Sequence, residues 1–243
     1  VVSGDSTVTT DVGSVQNRVI EVMLEGAVVR NKDFGWNLSV LFAKNDNKVL
    51  ALGTTNADVI SSGFLGSSTI LRVGKPMGSF IGIQRLGTWG TSEATEAAKY
   101  GKKPGDIKRL DVNNDLAFDD KDMQFLGSPF GKYDLTFSTT VRYKNWDLSV
   151  DIQVRQGSKI ENVAALTIED RTWYASGYAS VLKDAWTPEH QNTMVPALRM
   201  AADPWNTDFG RYMDSHWLAD GSFVRGRSLN LNYRLPEMIT HKL

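Results

Sequence analysis

The feature that most constrains this chain is a period-two alternation recurring in five long segments. In "NWDLSVDIQVRQ", Leu148, Val150, Ile152 and Val154 fall on one side and Asp147, Ser149, Asp151, Gln153 and Arg155 on the other. Successive side chains of a strand point to opposite faces, so the segment has one apolar and one strongly polar face. In "YDLTFSTTVRY", Tyr133, Leu135, Phe137, Val141 and Tyr143 share a face with Thr139, opposite Thr136, Ser138, Thr140 and Arg142. "GWNLSVLFAKN" aligns Trp36, Leu38, Val40 and Phe42. "VIEVMLEGAVVR" sets Ile20, Val22, Leu24 and Val28 against Glu21 and Glu25. "SLNLNYRL" sets Leu229, Leu231 and Tyr233 against Ser228, Asn230, Asn232 and Arg234.

These segments run about 10 to 12 residues. Soluble strands centre on about 5 to 6 residues, whereas a tilted strand crossing a bilayer needs about 9 to 11. The connections alternate as well. Residues 31–33 and a turn at Lys144-Asn145 are short; the stretches from Ala43 to Tyr133 and across about 157–222 are long. Short turns on one side and long loops on the other is the wiring of an outer-membrane barrel. Trp36, Tyr133, Tyr143, Trp146 and Tyr233 lie near strand ends, where an interfacial girdle would sit. A secreted β-sandwich that binds carbohydrate or adheres to surfaces, its apolar faces forming an inner core, is the alternative. The charged second face favours the barrel. The two readings separate at Leu148, Val150 and Ile152, which face lipid in one and a second sheet in the other.

Composition narrows the function. Lys plus Arg is 27 and Asp plus Glu is 28 in 243 residues, a balance that gives no reason to expect nucleic acid. There is no cysteine, hence no disulfide and no thiolate metal site. No run of 18 apolar residues predicts a membrane helix. The opening "VVSGDSTVTTDVGSV" lacks the basic and apolar regions of a signal peptide.

One loop stands apart. In "RLDVNNDLAFDDKD", Asp111, Asn113, Asp115, Asp119 and Asp122 occupy relative positions 1, 3, 5, 9 and 12, with Ala117 at the position that lends a backbone carbonyl. That is the ligand spacing of an EF-hand calcium loop. Two features weaken it. Leu116 stands where glycine makes the sharp turn, at a cost on the order of 1–2 kcal/mol, and Asp122 is shorter than the usual bidentate glutamate. A weak structural calcium ion, Kd roughly 10⁻⁴–10⁻³ M, or an ion-free loop held by hydrogen bonds, is expected. Phe118 is placed to anchor the loop.

No catalytic constellation is present, so no enzyme is predicted. His190, His216 and His241 have no metal-ligand spacing, and neither a nucleophile elbow nor a phosphate loop occurs. Glu21 and Glu25 read as solvated lining. Trp173, Tyr174, Tyr178 and Trp186 read as the core of the second long loop. "SEATEAAKYGKKPGD" predicts a helix with Ser92 as N-cap, Glu93 and Glu96 in the first turn and Gly101 as its stop. Residues 72–90 predict a glycine-punctuated, turn-rich extended segment.

Several stretches, in order, resemble the C-terminal barrel portion of the SusC-like (RagA/SusC) TonB-dependent outer-membrane transporters of Bacteroidota. They are "GSVQNRVIEVMLEGAVVRNKDFGWNLSVLFAKNDNKVLALG", "RVGKPMGSFIGIQRLGTW", "PGDIKRLDVNNDLAFDDKDMQFLG" with the strand pair that follows, "DAWTPEHQNTMVPAL" and "HWLADGSFVRGRSLNLNYRLP". The departures are Val19 and Leu116 for glycine and Ile83 for an aromatic. The resemblance spans nearly all of residues 1–243. It implies an all-β, antiparallel transmembrane barrel of the plugged 22-strand class, whose plug domain and final strands lie outside this chain. Five strands cannot close such a barrel, and lipid tolerates no open edge, so a longer polypeptide is expected. The resemblance also implies import of an oligosaccharide or peptide, energised by TonB, through the outer membrane, with long extracellular loops and a SusD-like surface lipoprotein as partner.

Overall fold

The computed structural model describes residues 13–63, 68–170, 177–199 and 212–236. Among these residues thirteen strands follow in order: β1 Gly13–Arg30, β2 Phe34–Leu52, β3 Val59–Ser62, β4 Ser68–Leu71, β5 Ser79–Gly82, β6 Arg85–Thr88, β7 Ile107–Arg109, β8 Gln124–Gly127, β9 Tyr133–Tyr143, β10 Trp146–Gln156, β11 Lys159–Glu161, β12 Leu218–Asp220 and β13 Phe223–Tyr233. They form a five-stranded sheet β1-β2-β9-β10-β13, a four-stranded sheet β3-β4-β5-β8, and the pairs β6-β7 and β11-β12. No described helix is long and apolar enough to cross a membrane.

The chain divides into two compact units. A sheet unit holds Gln16–Asn47, Phe130–Lys159 and the segment from Asp220; a packed unit holds Lys48–Pro129 and Ile160–Ala219.

The five alternating segments are the strands of the long sheet, and the register makes the alternation two-dimensional. Across β2, β9, β10 and β13 the rows on the apolar face are Phe34-Tyr143-Trp146-Tyr233, then Trp36-Val141-Leu148-Leu231, then Leu38-Thr139-Val150-Leu229. Val40-Phe137-Ile152-Gly226 and Phe42-Leu135-Val154-Val224 complete it. β1 and β2 are longer than the alternation indicated, 18 and 19 residues. Residues 45–48 of β2 are polar on both faces, so alternation could not carry across them to the apolar residues 49–52.

Among the described residues, no hydrophobic side chain of the sheet unit is buried. Leu148 is 38% exposed and Leu229 73%, and Val150 and Ile152 are half-buried by their strand neighbours. Within the sheet unit, no described residue packs over this face as the inner core of a sandwich would require. Thr139 is the polar exception on it. Its hydroxyl accepts a hydrogen bond from the Trp36 indole at 2.9 Å and donates to the Asn37 carbonyl at 3.3 Å.

The packed unit carries the core. Phe80, Ile107, Ala165, Met213 and Trp217 cluster with Leu126 and Leu218 against them. The segment 72–90 is turn-rich and extended as expected, with turns at 73–75 and 77–78 leading into β5 and β6, and Ser79 to Ile83 are buried without a break. The N-cap of the expected helix is corrected. Ser92 lies inside a 3₁₀ turn, Thr91–Glu93, and the Glu93 carboxylate accepts from the Gly90 N–H at 3.0 Å. α1, Ala94–Lys99, follows, and Gly101, φ +65°, ends it.

Candidate functional site

The polar face of the long sheet is a lattice of matched partners. Rows Gly35-Arg142-Asp147-Asn232, Asn37-Thr140-Ser149-Asn230 and Ser39-Ser138-Asp151-Ser228 lie across four strands. Arg142 donates to Asp147 at 2.9 Å and Arg155 to Asp134 at 2.7 Å, each across the β9–β10 ladder. Thr140 and Ser149 hydroxyls meet at 3.2 Å, and Ser228 donates to Asp151 at 2.5 Å. Cross-strand polar pairs of this kind fix register and keep every charge hydrated or paired. Leu41, opposite Thr136, and Ala43 and Phe223, in the row of Asp134 and Arg155, are apolar members of this face. A bulge between Asp151 and Ile152 shifts β13 by one residue, so Arg227 has no register partner on β10. Glu21 and Glu25 lie on exposed β1, as lining residues would.

The spacing of the aromatics measures the apolar band. The row Phe34-Tyr143-Trp146-Tyr233 closes the turn end, with the Trp146 and Tyr233 rings 4.6 Å apart. Tyr133, 5.9 Å from the Phe42 ring, marks the other end. From Tyr133 to Tyr143 a strand advances about 33 Å. At a tilt of about 40° this projects to about 25 Å, the height of the lipid-facing band of an outer-membrane barrel. Phe34 escaped sequence reading, because it precedes the first clear apolar repeat.

In the packed unit an electroneutral quartet holds distant segments together. The Arg85 guanidinium, 1% exposed, takes Asp170 through both Nη atoms at 3.0 and 2.5 Å, Asp214 through Nε at 2.8 Å, and the Met194 carbonyl at 2.8 Å. Arg109 Nε reaches the second oxygen of Asp214 at 3.3 Å, and the Trp217 indole donates to Asp170 at 2.9 Å. Burial pushes the Asp214 carboxyl up, but Arg85 and Arg109 outweigh it and leave it below the usual carboxylate value. Burial opposes the charge on Arg85 too, and the two carboxylates overcome it, holding the guanidinium firmly protonated. His216 Nε2 lies 2.8 Å from the Glu169 carboxylate beside this cluster. No sequence signal marked the quartet, because its members lie up to 129 residues apart.

The stretches quoted as signature motifs converge here. Gly105, φ +86°, lies under the Trp186 ring and Ala197, which a Cβ would approach to 2.8 and 2.7 Å. Asp106 pairs with Arg199 at 2.9 Å. The Gln191 side chain accepts from the Thr91 N–H at 2.8 Å. "PGDI" and "DAWTPEHQ" are thus two sides of one packing contact. Trp186 serves as loop core, Tyr178 is 44% exposed, and Trp173, Tyr174 and His241 lie outside the described residues.

The acidic loop is braced by its own backbone. Asp111 accepts from the N–H groups of Asn114 (2.6 Å), Asp115 (3.3 Å) and Leu116 (3.0 Å). Asp122, fully buried, accepts from Val112 at 2.8 Å and Asp119 at 2.9 Å. Asn113 donates to Asp115 at 2.7 Å, and the Ala117 N–H donates to the same carboxylate at 3.1 Å. The Lys121 ammonium lies 3.1 Å from Asp115 and 3.5 Å from Asp119. It lowers the Asp115 carboxyl below its ordinary value, with help from Asn113. Leu116 has the left-handed conformation foreseen for it, φ +65°. Phe118 stacks on Tyr100 at 5.2 Å, and Tyr100 in turn lies 5.6 Å from Trp89, anchoring the loop to the core. Among the described residues no three His, Asp or Glu side chains are grouped as metal ligands.

Comparison with known proteins agrees with this geometry. No protein-family model matches the sequence. TonB-dependent receptor P26 of Formosa agariphila is 31% identical over 230 residues, covering 93% of this chain and 23% of the relative. TonB-dependent receptor P3 of the same organism is 28% identical over 250 residues, 99% of this chain and 24% of the relative. The chain is similar to TonB-dependent receptors over nearly its whole length. It spans about a quarter of these relatives' length. The RagAB peptide transporter superposes with a TM-score of 0.67 at 22% identity, over 94% of this chain and 24% of that one. The RagAB peptide importer in its closed-closed state gives 0.68 at 21% identity, over 94% of this chain and 24% of that one. These likenesses show the fold: the long sheet matches part of the antiparallel β-barrel of those structures.

Proposed function

We propose that this chain is the C-terminal barrel portion of a SusC-like transporter that imports an oligosaccharide or peptide across the outer membrane of a Gram-negative bacterium. The observation that carries the reading is the uncovered apolar sheet face between two aromatic boundaries, backed by a paired polar face. Import draws on TonB through parts of the protein outside this chain, and a SusD-like surface lipoprotein cooperates at the extracellular mouth, as the RagAB likeness suggests. The polar lattice lines the lumen, and the packed unit belongs to the extracellular loops. No bond in the substrate is made or broken.

The acidic loop braces the packed unit. Calcium at Asp111, Asn113, Asp115, Ala117, Asp119 and Asp122 would be a weak structural ligand: the loop must regroup these oxygens, which are not gathered as metal ligands here, and displace Lys121 from Asp115 and Asp119.

Uptake of labelled oligosaccharide and peptide pools by cells with and without the full-length gene, and with and without TonB, tests the reading. Loss of uptake in both deletions is expected. A full-length product that fractionates as a water-soluble protein overturns it.

A further inference from the structure

The apolar face of β1 has a missing tooth. Its alternate positions read Ile20, Val22, Leu24, Gly26, Val28, so glycine stands where the pattern calls for a large side chain. Glycine in a strand usually marks a tight bend or a close approach of another chain segment. No described residue approaches it: a Cβ at Gly26 would meet nothing within 4 Å. The vacancy opens a notch of about 330 Å³, lined by Leu24, Gly26, Val28, Leu38 and Val40, with Glu25 and Ala27 completing the wall.

The depth of this notch identifies its occupant. Leu38 and Val40 sit in the third and fourth of the five apolar rows, opposite Thr139 and Phe137, between the aromatic row at Phe34 and the boundary at Tyr133. At that level the outward face meets hydrocarbon, not headgroups or water. Its four large lining side chains are aliphatic, which suits no ionic or sugar ligand. The volume matches about ten groups the size of a water molecule, comparable to the distal half of a fatty acyl chain. We propose that the Gly26 notch seats one acyl chain of a membrane lipid, making that lipid a retained component of the barrel rather than an exchanging neighbour. The inference rests on the barrel reading above.

Full-length receptor is purified in detergent, incubated with a phospholipid carrying two 18-carbon chains, and weighed intact by native mass spectrometry. Wild type is expected to retain one lipid more than Gly26→Leu, which fills the notch, with at least a threefold drop in occupancy of that species. Gly26→Ala, which leaves most of the space, retains it. Equal retention by wild type and Gly26→Leu overturns the proposal. So does a change from dimer to monomer in Gly26→Leu without lipid loss, which would give the notch to a second copy. Outer-membrane fractionation of all three proteins is the separate control: its failure strikes the barrel reading, not the notch.

Discussion

The two units of this chain treat apolar side chains in opposite ways. Every described hydrophobic residue that is fully buried lies in the packed unit, from Val49 to Trp217; the sheet unit has none. Yet the sheet unit is the more regular in pattern. The packed unit hides Phe80, Met213 and Trp217 from water and fixes them with a buried ionic quartet. The sheet unit displays Leu24, Leu229 and Leu231, because its apolar face is made for a solvent that is itself apolar. An exposed apolar patch of this size on a water-soluble protein would be a liability; bracketed by aromatics it fits the membrane surface proposed above.

The largest effect expected from breaking this contrast is at Arg85. Arg85→Ala leaves Asp170 buried without its cation and Asp214 with Arg109 alone, at 3.3 Å, which should cost about 3–5 kcal/mol in the packed unit. Hydrogen exchange on the full-length receptor should show faster exchange around β5, β6 and residues 212–218, with β9 and β10 unchanged. Uniform loss across both units would deny that the quartet serves one of them. The quartet also sets a pH dependence. The folded Asp214 lies below its ordinary 3.8, so its stabilisation is present above that value and is lost as pH falls through the lower, folded one. Acid should therefore loosen the same amides first.

Next come paired substitutions on the two sheet faces. Leu229→Arg places a charge at mid-band and should cost about 2–4 kcal/mol in urea titrations of liposome-folded receptor. Asn230→Arg, one residue along on the polar face, should cost less than about 1 kcal/mol. Equal costs would mean that the faces share one solvent.

The smallest effect concerns the acidic loop. Leu116→Gly relieves a left-handed leucine and should stabilise by about 1 kcal/mol, less than the full strain because glycine is freer when unfolded. Calorimetric titration should show calcium binding only near millimolar in wild type and tighter in the variant. No heat in either at 10-fold higher calcium, on the order of 10⁻² M, removes the ion and leaves the hydrogen-bonded brace.

What was legible in the sequence follows the same divide. Alternation exposed the five strands, their faces and the parity of their connections, because a strand between lipid and lumen must alternate. It failed towards the end of β2, where residues 45–48 are polar on both faces and interrupt it. The packed unit was legible only as separate motifs. Nothing local to Arg85 announces Asp214, and Gly105 shows its purpose only with Trp186 laid over it. Ser92 looked like a cap by residue type, but the reach of Glu93 back to Gly90 decided the turn.

The central claim is that Leu148, Val150 and Ile152 face lipid. Single cysteines at residues 148 to 153, spin-labelled in a cysteine-free full-length receptor in liposomes, report it directly. Even-numbered sites should be accessible to oxygen and shielded from a water-soluble nickel reagent, with the odd-numbered sites reversed. Even-numbered sites shielded from both reagents would put them beneath a second sheet and contradict the account.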